Sequence, residues 1–514
     1  MARLNIQQTV LTGINISECW ANIQCDVAWE DAWSNDINCD GVWLFAKFRV
    51  GETPWRHVTL KTNSPDAFNR QDQTPFGCSS GENAVEQQIG LWVPESRKGA
   101  FLFRTRGEGA VRARRLQLLW DFSQERLTDV EQIDIRMFGV EMVYAPEDQH
   151  YVGDPLGANG PKNCLYTYPD GGAYLIQSEQ AITLAAEPGC LYCDQDNERS
   201  RDDAPFEIPA AFPKGYNAFW YMKYGVNSRQ YVEFLNTLTR RQQQTHVRSD
   251  ISTDVIENYY VMTNTNIERF RQTIVCAKRG NGGEKPLRFY TYAPARACNA
   301  IAWKDVAAYA AWAGLRPITD LEFEKACRGP KIAVPSECAW GSSEIGRVDT
   351  FDGPDGSGDE IKVPTSGLVN ACFGCGIAPF EAAAGKTEPT NPGFLGPVSC
   401  GLFANTRHPD IPKRLNDGAS YYGNLELSGN LWEFIVTLGH PQGRAFTGAR
   451  GDGALDEDGY ARVSSWPDET AAGTGARGGV YVSPDASYLA IALRFAGAHA
   501  KAEPRYNGGL RVGF

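Results

Sequence analysis

The chain changes texture near Met137 to Val140, and this change constrains the fold more than any single motif. Before it, apolar side chains recur at every second position. Val42, Leu44, Ala46, Phe48 and Val50 alternate with Trp43, Phe45, Lys47 and Arg49; Leu116, Leu118, Trp120 and Phe122 repeat the pattern, as do Ile133, Ile135 and Met137. A period of two is that of a strand. Short strands broken by Gly, Asn, Asp and Pro clusters predict an all-β sandwich over residues 1–137, jelly-roll or immunoglobulin-like in layout. No charge run or low-complexity tract marks the junction, so the two parts are expected to pack tightly. Trp20, Trp29, Trp33 and Trp43 either fill the sandwich core or stack sugars, and core filling is the commoner use.

From residue 138 onward, helical signals appear. Asn227 and Gln230 have capping-box spacing, and Tyr231, Phe234, Leu235 and Leu238 fall on one helical face. A second helical pattern runs from Trp303 through Val306, Tyr309 and Ala310 to a stop at Gly314. Thr319 and Glu322 make another capping box at the head of Asp320-Leu321-Glu322-Phe323-Glu324-Lys325-Ala326-Cys327-Arg328. The fold class expected for the whole chain is α+β, a β-sandwich followed by a mixed domain over 138–514. That domain carries two long loop-rich insertions, about 155–213 and 347–416. Both exceed ordinary connections, and loops of that length commonly serve a site, an interface or a neighbouring subunit.

Six segments of the mixed domain stand in a telling order. Arg316 to Gly329 is followed by Cys338-Ala339-Trp340-Gly341, then Leu427-Ser428-Gly429-Asn430-Leu431-Trp432-Glu433-Phe434. Arg477-Gly478-Gly479-Val480-Tyr481 leads through Leu493-Arg494-Phe495 to Gly509-Leu510-Arg511-Val512. With Val140 to Pro146 and Tyr151 to Asp154, these runs resemble the formylglycine-generating enzyme (sulfatase-modifying factor) family, from roughly Phe138 to Phe514. The resemblance implies a variant of the C-type lectin-like fold. Oxidase members carry two cysteines five residues apart in the last stretch, the second after an arginine; here Ala490 and Phe495 stand at those places. Neither side chain offers a lone pair or a redox state, so copper-thiolate chemistry is not expected. Sulfoxide synthases of the same superfamily hold iron through histidines in an added helical domain. The six histidines, His57, His150, His246, His408, His440 and His499, have no helix-turn spacing, so iron is not expected either. The resemblance further implies that Asn430 and Glu433 help to hold a calcium ion.

A third group with this fold, the variable proteins of diversity-generating retroelements, displays exchangeable residues at the C-terminus. Ser487 to Gly497 resembles theirs, with Leu489, Ile491 and Leu493 expected to alternate inward as a strand. Tyr481, Ser483, Asp485, Tyr488, Phe495, His499, Lys501, Glu503, Arg505, Tyr506 and Asn507 then make an aromatic and polar set suited to recognition. The expected function is non-catalytic binding of a protein or glycan receptor at the tip of a larger assembly, such as a phage tail or injection apparatus. The alternatives are an enzyme with unrecognised chemistry in the same cleft, and a structural subunit whose lectin-like domain only packs.

Composition agrees with a water-facing particle. The chain of 514 residues is 42% hydrophobic, enough for two cores. A net charge of −12 argues against a phosphate-binding surface and hence against nucleic acid. Met1-Ala2-Arg3-Leu4-Asn5-Ile6-Gln7-Gln8 lacks the apolar core of a signal peptide, and no apolar run is long enough to span a bilayer. Cytoplasmic synthesis is therefore expected, with incorporation into a virion or extracellular particle. Fourteen cysteines include two CxxC pairs, Cys190 with Cys193 and Cys372 with Cys375. They could share a tetrahedral zinc, close as local disulfides, or remain reduced. Asp349, Asp352, Asp355 and Asp359, like Asp452, Asp456 and Asp458, have calcium-type ligands without calcium-loop spacing, so solvated loops are expected.

Overall fold

The computed structural model describes residues 4–62, 68, 78–127, 130, 132–193, 205–279, 285–363, 367–375, 394–498 and 502–514. Strands Asn5–Asn15, Trp20–Ser34 and Gly107–Asp121 form an antiparallel sheet with Trp20–Ser34 in the middle. A second sheet runs Phe219–Met222, Ile133–Ala145, Asp40–Val50, Ala100–Arg104, Ile89–Trp92, with Arg56–His57 paired to Asp40–Val50. The facing sides share one core, with Ile23, Val27 and Trp29 from the first sheet and Val42, Leu44, Phe48 and Leu102 from the second.

Strand Asp40–Val50 is buried on both faces along nearly its whole length. Successive side chains point to opposite faces, so each register must find its own partner. Val42, Leu44 and Phe48 face the first sheet, whereas Trp43 and Phe45 belong to the large core of the C-terminal part. Neighbouring Ala100–Arg104 divides the same way, with Leu102 on one side and Phe101 and Phe103 on the other. Two polar side chains that enter this second contact find partners. Trp43 Nε1 donates to Ala313 O at 2.8 Å, and Lys47 Nζ donates to Gly453 O at 2.7 Å.

The boundary expected at 137/138 falls inside strand Ile133–Ala145. That strand pairs with Asp40–Val50 from Ile133 to Val143 and with Phe219–Met222 through Met142 to Ala145. Its ladder takes partners from both sides of the division, and cutting it would strand backbone N–H and C=O groups. The tryptophans are also resolved. Trp29 and Trp43 are fully buried and have no ring face to offer a sugar. Trp33 packs against the cluster that holds Tyr422 and Phe323, and half-buried Trp20 donates to Glu18 at 2.9 Å.

The three expected helices form at Ser228–Leu235, Trp303–Ala313 and Asp320–Arg328, and both capping boxes close, Asn227 with Gln230 and Thr319 with Glu322. Thr239 and Gln242 close one more, at the head of Arg240–His246. The chain is thus mixed, mostly strand with few helices. No helix among the described residues is long and apolar enough to cross a membrane.

The strand expected at 487–497 does not form. Ala486–Leu489 is a single 3-10 turn, and turns follow it. Leu489 and Ile491 are buried as expected, but so are Ala490 and Ala492, and Leu493 is only half-buried. The N–H of Ile491 donates to Glu337 O at 2.9 Å and that of Arg494 to Lys162 O at 3.3 Å. These two backbone donors are therefore taken by two different loops, not by one ladder.

Candidate ligand-binding cleft

The turns of the tail are held from beneath by buried ions. Helix Asp320–Arg328 carries Asp320 and Glu324 on the side facing the tail, and the Arg477 guanidinium pairs with both, at 2.7 Å from Glu324. Arg494 pairs with Asp320, and Arg328 with Glu324 and Glu337. All of these side chains are almost completely buried. Burial penalises the Glu324 charge, but Arg477 and Arg328 beside it outweigh that cost and hold its carboxyl below the usual range. Arg477 also donates to Ile491 O, and Ser428 Oγ donates to Leu489 O at 2.8 Å. A fixed cation thus dictates where the backbone around 490 lies.

Above this floor lies a cavity of about 420 Å³ lined by Asn159 to Lys162, Ser336, Asp485, Ser487, Tyr488, Leu493 and Phe495. One wall is the aromatic pair, with the Tyr488 and Phe495 rings 6.0 Å apart at 74°. The loop Asn159 to Lys162, from the first long insertion, lines it as well. Asp154 fixes that loop, accepting from Leu156 N at 2.9 Å and, with its other oxygen, from Ser336 N at 2.7 Å. Asp485 caps the 3-10 turn by accepting from Ser487 N at 2.9 Å. Lys162 and Asp485 are both exposed at the rim, so the cleft pairs an apolar wall with one charge of each sign. Such a mixture holds a ligand with a flat or apolar part and polar ends.

The expected recognition set divides. Asp485, Tyr488 and Phe495 line the cavity. Tyr481 is fully buried with its hydroxyl donating to Tyr506 O at 3.2 Å, so it is a core residue and not a contact anchor. Ser483 and Asn507 are buried too, with Ser483 Oγ accepting from Val480 N. Glu503 and Arg505 are exposed on a separate face, beside Tyr506, which stacks on Phe270 with 4.5 Å between centroids. His499 and Lys501 lie outside the described residues. Asn159, Lys162 and Ser336 were not anticipated; the unusual length of the insertion around 155–213 is a signal for the first two, and no local pattern marks Ser336. Ala490 is buried under the turn, and Phe495 stands at the cavity.

Asn430 and Glu433, the pair expected to help hold calcium, both have protein partners. Asn430 Oδ1 accepts from Val398 N at 3.0 Å, and Glu433 Oε1 accepts from Arg511 Nε at 2.9 Å. Arg511 is further tied to the carbonyls of Met222, Lys223 and Leu425. The space beside them is about 10 Å³, room for one water, and Glu426 lines it as well. A guanidinium already neutralises Glu433. Among the described residues no three or more His, Cys, Asp or Glu side chains are gathered to hold a metal, so the two CxxC pairs are not brought together. The acidic clusters are used as ion pairs and turns: Asp355 pairs with Arg271 and Arg296 at 2.6 Å each, Asp458 with Arg241 at 2.5 Å, and Asp456 accepts from Tyr460 N.

Residues 177–512 match the family model described as the sulfatase-modifying factor enzyme 1-like domain. No curated protein matches the chain. The match covers the tail wall of the cleft and its ionic floor, whereas the loop wall Asn159 to Lys162 precedes it.

Proposed function

From the premise that the chain belongs to the sulfatase-modifying factor enzyme 1-like family, we propose that it is a non-catalytic member that binds a protein or glycan ligand in the Tyr488–Phe495 cleft. One observation carries this reading. Phe495, placed by the sequence resemblance where oxidase members keep a thiol, lines the cavity as an aromatic wall with Tyr488, and no cysteine or histidine is among the described lining residues. Aromatic faces with Lys162 and Asp485 at the rim suit recognition of a sugar ring or an aromatic or apolar peptide side chain. Cys-to-formylglycine chemistry needs a thiolate at the reacting atom, which alanine and phenylalanine cannot supply.

The mixed domain is read as a lectin-like scaffold and the two N-terminal sheets as a sandwich that docks the chain in a larger assembly. The first strand supports docking. Among the described residues it pairs only with Trp20–Ser34, and Val10, Ile14 and Ile16 on and beside it are exposed. An open edge with apolar side chains is a surface that another chain can cover.

The test has two arms. Incubation with a sulfatase-type cysteine peptide, with and without copper, leaves the peptide mass unchanged; loss of two hydrogens with replacement of sulfur by oxygen overturns the non-catalytic reading. A glycan and peptide array probed with the purified chain yields binders that Tyr488→Ala and Phe495→Ala weaken. Binders indifferent to both substitutions overturn the cleft assignment.

A further inference from the structure

Cys372 and Cys375 lie outside the cleft and have no part in the binding reading. Their Sγ atoms are 3.4 Å apart, and both residues are fully buried. Between them Gly374 adopts φ +61, the left-handed conformation that lets the four-residue loop turn back on itself. The loop is stitched to the tail: Gly374 N donates to Ser483 O at 2.9 Å, and Cys375 N donates to Tyr481 O at 2.7 Å. Asn430 N donates to Cys372 O at 2.8 Å, so the same loop also grips the segment after Gly429. Two thiols at that separation need about 1.4 Å of further approach to reach a covalent S–S length of about 2.05 Å.

We propose that Cys372 and Cys375 are a disulfide-forming site that latches the tail segment Val480 to Ser483, which leads directly into the cleft wall at Asp485. The oxidant is a low-molecular-weight disulfide of the glutathione class. One protein thiolate attacks it and releases one thiol; the second thiolate then attacks the mixed disulfide, closing Cys372–Cys375 and releasing the second thiol. Two protein S–H bonds are lost, one S–S forms, and the oxidant gains two electrons and two protons. Burial pushes the Cys372 thiol well above its ordinary range, so exchange proceeds while the chain folds or the loop opens, and the closed bond is then shielded from reductants.

The full chain, equilibrated with oxidised or with reduced glutathione, is denatured, alkylated and digested with trypsin. The peptide from Val363 to Lys386 holds both cysteines and no other. After oxidation it is expected unalkylated and two hydrogens lighter than the dithiol peptide. Alkylation at both positions, or linkage of either cysteine to another peptide, overturns the site. Amide exchange across residues 478–484 is expected to slow about tenfold in the oxidised protein, because opening of that segment then requires the latched loop to move with it. Equal exchange in both redox states overturns the latch. Cys375→Ser should remove the redox difference; if that variant does not fold, the wild-type mass and exchange data decide alone.

Discussion

Tyr488 and Phe495 meet edge to face, 6.0 Å between centroids at 74°, so two aromatic side chains from one short run of turns make a single wall. Neither ring is completely buried, and both line the cavity. Truncating an aromatic anchor to alanine commonly costs 2 kcal/mol or more, roughly a thirtyfold loss of affinity. Tyr488→Ala and Phe495→Ala are therefore expected to weaken binding to an array-identified ligand by at least that factor while melting within a few degrees of wild type. Equal affinity in both variants, measured by calorimetry, would remove the wall from the binding site.

Arg477 is expected to be the most costly single cation to lose. It neutralises Asp320 and Glu324 in a fully buried setting, and removal of one partner from such a network leaves charge without compensation. Arg477→Met should lower stability by about 3–5 kcal/mol in urea unfolding. A change below about 1 kcal/mol would mean that Arg494 and Arg328 carry the carboxylates by themselves.

Glu433 is the buried counter-ion of Arg511. Glu433→Gln should lower the melting temperature by the same amount in calcium and in chelator, because the lost partner is a guanidinium. A loss seen only with calcium present would restore the calcium assignment.

Glu141 sits fully buried in the central sheet, and burial raises its carboxyl from 4.5 to about 7 against the pull of Lys223, with Asp40 adding to the rise. Between those values the folded chain keeps a proton that the unfolded chain has released. Stability therefore falls as pH rises from about 4.5 to 7, by on the order of 3 kcal/mol at most, and stays low above it. Glu141→Gln should flatten that slope and be more stable than wild type at pH 8. Parallel stability–pH curves for the two proteins would exclude Glu141 as the source.

The sequence by itself determined what depends on neighbours along the chain. Capping boxes at Asn227 and Thr319 are contacts within one helical turn, and strands near Val42 and Leu116 declare themselves by a period of two. The order of Gly, Arg and Trp motifs likewise marked the family. Tertiary structure alone decided which side of each strand met which core. Val42 and Trp43 are equally apolar, yet they face different cores because the sheet lies between two bodies of chain. It also decided the cleft. The palette at 481–507 looked like one surface, but Tyr481 was drawn into the core, Tyr506 onto Phe270, and, among its described residues, only Asp485, Tyr488 and Phe495 to the cavity. That division is set by Arg477 finding Asp320 and Glu324, contacts more than 150 positions distant, and by Asp154 joining the loop at Leu156 to Ser336. No local pattern encodes such meetings, because burying an ion pair rewards proximity in space and leaves no period in the chain.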